Sequence, residues 1–186
     1  MLCVGIDLAG VEKRPTGFCV LDEKFNVETK ILYTDKEIIT EIYRIKPDIV
    51  AIDAPLARPK KRSGSLRKCD EELKKMGIKF FPINLPTMKK LTERGIRLRK
   101  IIEKKFKVIE TYPGAAQDIL GIPRKQKGIE KLRNGLKKFV KIKKRKISNH
   151  ELDAITCALV GKMYLDNNCI ILGDPKEILM VLPKIP

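Results

Sequence analysis

The chain has 186 residues, 43% hydrophobic and 34% charged, which is enough for one substantial domain burying roughly 70% of its unfolded surface and too apolar for a disordered polymer. No apolar run approaches the ~20 residues a membrane helix requires, so a helical membrane protein is excluded. Forty Lys and Arg against 23 Asp and Glu leave a net charge of +17, a field that draws polyanions such as nucleic acid. The Lys-, Glu- and Ile-rich surface of a heat-adapted protein gives the same charge, and a glutamine content of only two, Gln117 and Gln126, agrees with that alternative.

Along the chain, Leu2–Ile6 is an apolar run stopped by Asp7 and followed by the small residues Ala9 and Gly10, the pattern of a buried strand entering a turn. Thr16–Leu21 and Val27–Thr34 follow as two more strands, giving a three-stranded meander. Helical spacing of Ile38, Ile39, Ile42 and Ile45 predicts a helix over Lys36–Ile45. Ile49–Ile52 is again an apolar strand stopped by an acid, Asp53. From residue 54 to 86 the pattern loosens into a Pro-rich, basic insertion with one helix over Leu66–Met76, ended by Gly77. A long helix over Thr87–Lys105 leads to a strand at Lys107–Ile109 that runs into Glu110. Short helices are expected over Gly114–Leu120 and Gly128–Phe139.

Ser148 and Glu151 fit a capping box, so a helix starts at Asn149 and runs to about Tyr164. Cys169–Leu172 and Leu179–Leu182, joined across Gly173-Asp-Pro175, predict a terminal hairpin or an added edge pair. No repeat or composition break marks a linker, so a single domain over 1–186 is expected. Five cysteines without CxxC spacing, three of them (Cys3, Cys157 and Cys169) among apolar neighbours, point to free thiols in a reducing compartment. Met1 leads into Leu2–Ile6 without a basic n-region, and the expectation is a cytoplasmic protein.

Three separate strands thus end in carboxylates, Asp7, Asp53 and Glu110, and in open α/β sheets ligands bind beyond the carboxyl ends of strands. A strand-end acid is also a common turn former or helix cap. Asp153 lies one turn into the capped helix, on the side of His150 and Cys157 and beside the apolar stripe of Leu152, Ile155, Leu159 and Met163. An acid at the margin of a buried face needs a partner or a cation. Crowded carboxylates raise one another's pKa values unless a divalent ion neutralises them, and hard oxygen ligands suit Mg²⁺ or Mn²⁺.

The segments GIDLAG (Gly5–Gly10), AIDAPLA (Ala51–Ala57), RKCDEELKKMGI (Arg67–Ile78), ETYPGA (Glu110–Ala115) and HELDAITCAL (His150–Leu159) resemble the DUF429 family. That family is similar to a branch of the ribonuclease H-like superfamily, akin to RuvC-type Holliday-junction resolvases. The resemblance implies an α/β fold: a mixed five-stranded sheet of three antiparallel strands and two parallel to the first, flanked by helices. It maps the metal-binding acids onto Asp7, Asp53 and Asp153, with Glu110 as a further catalytic candidate particular to the Glu-Thr-Tyr-Pro motif. The implied chemistry is phosphodiester hydrolysis of DNA or RNA with Mg²⁺ or Mn²⁺.

His150 is a candidate for proton transfer, although a lone His near a helix start is also a common capping group. Two basic clusters supply candidate phosphate contacts: Lys60, Lys61, Arg62, Arg67 and Lys68 after the Asp53 strand, and Lys137, Lys138, Lys141, Lys143, Lys144, Arg145 and Lys146, which run directly into the helix that carries Asp153. Arg67 is favoured because it falls within a family segment. A non-catalytic nucleic-acid-binding module of the same fold is the rival reading. A P-loop and a dinucleotide-binding fingerprint are both missing from the sequence.

Overall fold

The computed structural model describes residues 1–60 and 66–184. Its first three strands, β1 (Leu2–Asp7), β2 (Thr16–Asp22) and β3 (Val27–Leu32), form the antiparallel meander. Helix α1 (Asp35–Ile45) returns the chain to β4 (Ile49–Asp53), parallel to β1. Helices α2 (Lys68–Lys75) and α3 (Pro86–Ile102) then precede β5 (Lys107–Thr111), parallel to β4. Next come α4 (Pro113–Ile119), a 3₁₀ turn (Lys125–Lys127), α5 (Ile129–Leu136) and α6 (Asn149–Leu165), and last the hairpin of β6 (Cys169–Asp174) and β7 (Ile178–Pro183).

The sheet order is β3-β2-β1-β4-β5-β7-β6. The five expected strands are present in the expected order, but the terminal hairpin joins them because β7 pairs in parallel with β5 through Glu110–Met180 and Thr111–Val181. The mixed sheet therefore has seven strands rather than five.

Strand alternation divides the core. Cys3, Cys19, Ile49 and Ala51 face α6, α4 and α5, whereas Val4, Ile6, Phe18, Val50 and Ile52 face α1 and α3. Both faces are covered, so β1 and β4 read as continuous apolar runs. Helix α1 starts one residue earlier than its apolar spacing predicts because Thr34 and Glu37 form a capping box: the Glu37 N–H donates to Thr34 Oγ1 and the Thr34 N–H to Glu37 Oε2. The Ser148–Glu151 box starts α6 at Asn149 as expected.

Helix α6 lies almost in contact with the sheet backbone. A Cβ added at Gly5 would stand 2.1 Å from the Ala154 carbonyl oxygen, and one at Gly17 would stand 2.0 Å from that of His150. Only glycine permits this approach, which sets α6, with His150 and Asp153, against β1 and β2. Gly5→Ala is expected to cost about 1–3 kcal/mol or more, because backbone rather than a yielding side chain blocks the methyl group. Chemical denaturation measures it, and an unchanged midpoint would mean that α6 can move away freely.

Four of the five free cysteines, Cys3, Cys19, Cys69 and Cys157, are buried, and Cys169 is partly exposed. Burial pushes the Cys3 thiol up to about 11, so it stays protonated and behaves as an apolar group.

Candidate active site

The parallel register of β1 and β4 sets Asp7 directly beside Asp53 at the carboxyl ends of the two strands. Both lie on the face that carries α6, where Asp153 is 5% exposed. Asp7 Oδ2 is 2.7 Å from Nδ1 of His150. Asp153 accepts from Gln117 Nε2 and from Lys125 Nζ, each at 2.8 Å. The loop after Asp7 is fixed by Ala9, whose N–H donates to Thr16 Oγ1 and whose carbonyl accepts from Arg94 Nη1. Arg94 also binds Asp35 and the Tyr33 carbonyl, fastening α3 to this loop.

These acids sense one another. Burial pushes the Asp53 carboxyl well above the usual carboxylate range, and the charges of Asp7 and Asp153 push it further. Asp153 is raised by burial and by Asp7, against the lowering effect of Lys125 and Gln117. Burial opposes the charge of Lys125, yet the combined attraction of Asp153, Asp7 and Asp53 outweighs this and its pKa is raised. His150 is raised chiefly by its hydrogen bond to Asp7.

An acid whose folded pKa exceeds its unfolded value has its full stability below the unfolded pKa and loses it as pH rises toward the folded one. Asp53→Asn is therefore expected to be more stable than the parent at pH 8 without metal, with the difference closing toward pH 4. Thermal melts across that range check this, and a variant that is less stable at pH 8 would show that the Asp53 charge is compensated locally.

Among the described residues no three ligating side chains converge closely enough, as they stand, to coordinate one ion. Asp7 is turned to His150 and Asp153 to Lys125 and Gln117. The chemistry of the donor set nevertheless fits a hard divalent cation: three carboxylates, two of them raised by burial and mutual repulsion that a cation would relieve.

Glu110 does not join them. In the register of β4 and β5 it sits opposite Ile52, one position short of the row formed by Asp7, Asp53 and Thr111, and a one-residue offset turns a strand side chain to the other face. Its Oε2 accepts from the Leu56 N–H and from Arg67 Nη1, both at 2.7 Å, and its Oε1 pairs with Arg67 Nη2 at 2.7 Å. Arg67, favoured as a phosphate contact, is 2% exposed and grips Asp70 as well, through Nε and Nη2. Its guanidinium thus ties the start of α2 to the end of β5.

Of the other basic candidates, Lys60 pairs with Asp174 at 2.5 Å and Lys144 pairs with the buried Glu151. Lys143 and Arg145 are exposed, while Lys61 and Arg62 lie outside the described residues. Gln117 and Lys125 are the site residues that sequence reasoning missed. The only hint was the scarcity of glutamine, since one more lysine among 40 Lys and Arg carries no signal.

The family model described as "Protein of unknown function (DUF429)" matches residues 5–177. The chain belongs to the DUF429 family. Its fold is similar to that of Thermus thermophilus RuvC in complex with a Holliday junction substrate, with a TM-score of 0.58, 15% identity, and 90% of this chain and 96% of that one covered. A second Thermus thermophilus RuvC structure gives a TM-score of 0.51 and 14% identity over the same shares. No curated protein matches the chain. This DUF429 protein therefore has the RuvC-like, ribonuclease H-like fold, and none of its described helices is long and apolar enough to cross a membrane.

Proposed function

We propose that this DUF429 protein is a cytoplasmic, divalent-metal-dependent nuclease that hydrolyses phosphodiester bonds of DNA or RNA. The observation that carries the reading is the pair Asp7 and Asp53, adjacent at the ends of parallel strands, with Asp153 facing them from α6. The similarity in fold to a RuvC bound to a Holliday junction supports nucleic acid as the substrate class. The net charge of +17 agrees with it, and the five free thiols support a reducing compartment.

Asp7, Asp53 and Asp153 would hold Mg²⁺ or Mn²⁺, which when bound supplies Lewis-acid polarisation of a phosphoryl oxygen. Asp7 fixes the imidazole through Nδ1 and favours its protonated form, so that Nε2 of His150 can give a proton to the leaving oxygen. Gln117 holds the Asp153 carboxylate in one orientation. Exposed Lys143 and Arg145, just before α6, lie in sequence next to the end that carries His150 and are free to meet backbone phosphates.

A non-catalytic nucleic-acid-binding module is favoured by one observation, the Lys125 ammonium already paired with Asp153. Incubating the protein with Mg²⁺, Mn²⁺ or EDTA and labelled single-stranded, duplex and branched DNA and RNA separates the two. Metal-dependent cleavage that EDTA abolishes is the expected result. Binding without cleavage across the panel overturns the nuclease reading in favour of the module.

A further inference from the structure

Beside Asp53 and Asp153 opens a cavity of about 250 Å³. It is smaller than the roughly 300–1,000 Å³ of pockets that take drug-sized ligands, so it suits one ring system rather than a base pair. Its walls are mainly apolar and include the aromatic rings of Phe80, Phe81 and Tyr112. Of the cations that line it, Arg67 is consumed by Asp70 and Glu110, and Arg124 is paired with Asp118.

Two features make this more than a gap. The Tyr112 ring is held rigidly: its hydroxyl donates to the Lys79 carbonyl at 2.9 Å and accepts from Arg124 Nη1 at 3.3 Å, while the Arg124 guanidinium lies 5.6 Å from the ring centroid. Phe81, by contrast, is 71% exposed and stands between this cavity and a broader depression of about 760 Å³ that shares Phe80, Phe81, Tyr112, Arg124 and Gln126. A large aromatic left in water at the junction of two hollows, beside a fixed aromatic and a cation, is the layout that stacks a base. Both glutamines of the chain line the cavity, and the exposed amide of Gln126 can read a base edge.

We propose that the cavity receives a single unpaired nucleobase of the nucleic-acid substrate, whose adjoining phosphate lies at the carboxylates. Lys125 lines the cavity and also bonds Asp153, so the base site and the phosphate site are in contact. A base paired inside a duplex cannot enter, so the preferred substrate is single-stranded or locally unpaired. This rests on the nuclease reading for its substrate class, but its test does not need cleavage.

The experiment compares a fluorescent oligothymidylate with an all-abasic strand of equal length and charge, by anisotropy in EDTA at fixed salt, using the parent protein and Phe81→Ala. The two strands carry the same phosphates, so their affinity ratio reads base binding alone. The parent is expected to favour the base-bearing strand by about 5- to 100-fold, the worth of one stacked base, and Phe81→Ala is expected to lose most of that preference while binding the abasic strand unchanged. Equal affinity for the two strands in the parent, or an unchanged ratio in Phe81→Ala, would overturn the base site. Failure of cleavage in the metal assay would leave this ratio as it is, so the two readings fail separately.

Discussion

Arg67→Met is expected to destabilise the protein by about 3–5 kcal/mol, the cost of leaving a buried charge without its partner. In a chain of this size that corresponds to a melting point lowered by about 6–20 °C. The side chain is 2% exposed, between Asp70 and Glu110 at 4% and 1%, and it makes hydrogen bonds to both. Burial already raises the Glu110 carboxyl, and the Arg67 charge is what holds it down. Without Arg67 the carboxyl rises further, so the loss is expected to be larger at pH 8 than at pH 5, where protonation relieves it. Urea denaturation at the two pH values measures this. A variant of normal stability that binds nucleic acid weakly would instead restore Arg67 as a phosphate contact.

Asp7→Asn is expected to lower metal-dependent cleavage by about 10³-fold or more, since several kcal/mol of charge stabilisation depend on the ligand set. It should also abolish the rise in melting temperature that Mn²⁺ gives the parent through mass action. Asparagine keeps the size of the side chain, so the fold should persist and the variant should melt cooperatively without metal. A further readout is independent of turnover. His150 is the only histidine of the chain, so one imidazole resonance reports its titration. In the parent its pKa lies above the ordinary 6.5 because of the bond to Asp7, and in Asp7→Asn it should fall back. Retained cleavage, or an unmoved His150 titration, would take Asp7 out of the site.

Much of this arrangement is legible in the sequence because it is written in local patterns. Apolar runs stopped by Asp7 and Asp53 mark parallel strands whose ends coincide, and Ser148 with Glu151 fixes the helix that brings in Asp153. Glu110 reads the same way but differs by one residue of register, which no single strand reveals. Its partner Arg67 is 43 residues away in the chain, and nothing in either segment records that the two charges are buried together. The pairing of β7 with β5 is equally invisible, since a hairpin of apolar strands fits any open edge. Lys125 is hidden by its abundance, as one cation in a chain that has 40.

The glycine-mediated seat of α6 on β1 also governs the order in which the protein can be built. Asp7 and His150 are 143 residues apart, and at about 5–20 residues per second of synthesis the helix follows the strand by about 7–30 s. During that interval the Cys3, Cys19, Leu21, Ile49 and Ala51 face lacks the cover of α6 and has only the earlier α4 and α5 to pack on it. Contacts that span so much chain close slowly. A nascent chain stopped before Asn149 therefore carries two of the three carboxylates on an apolar surface that is only partly covered and open to other unfinished chains, and the candidate site comes into being only when α6 leaves the ribosome.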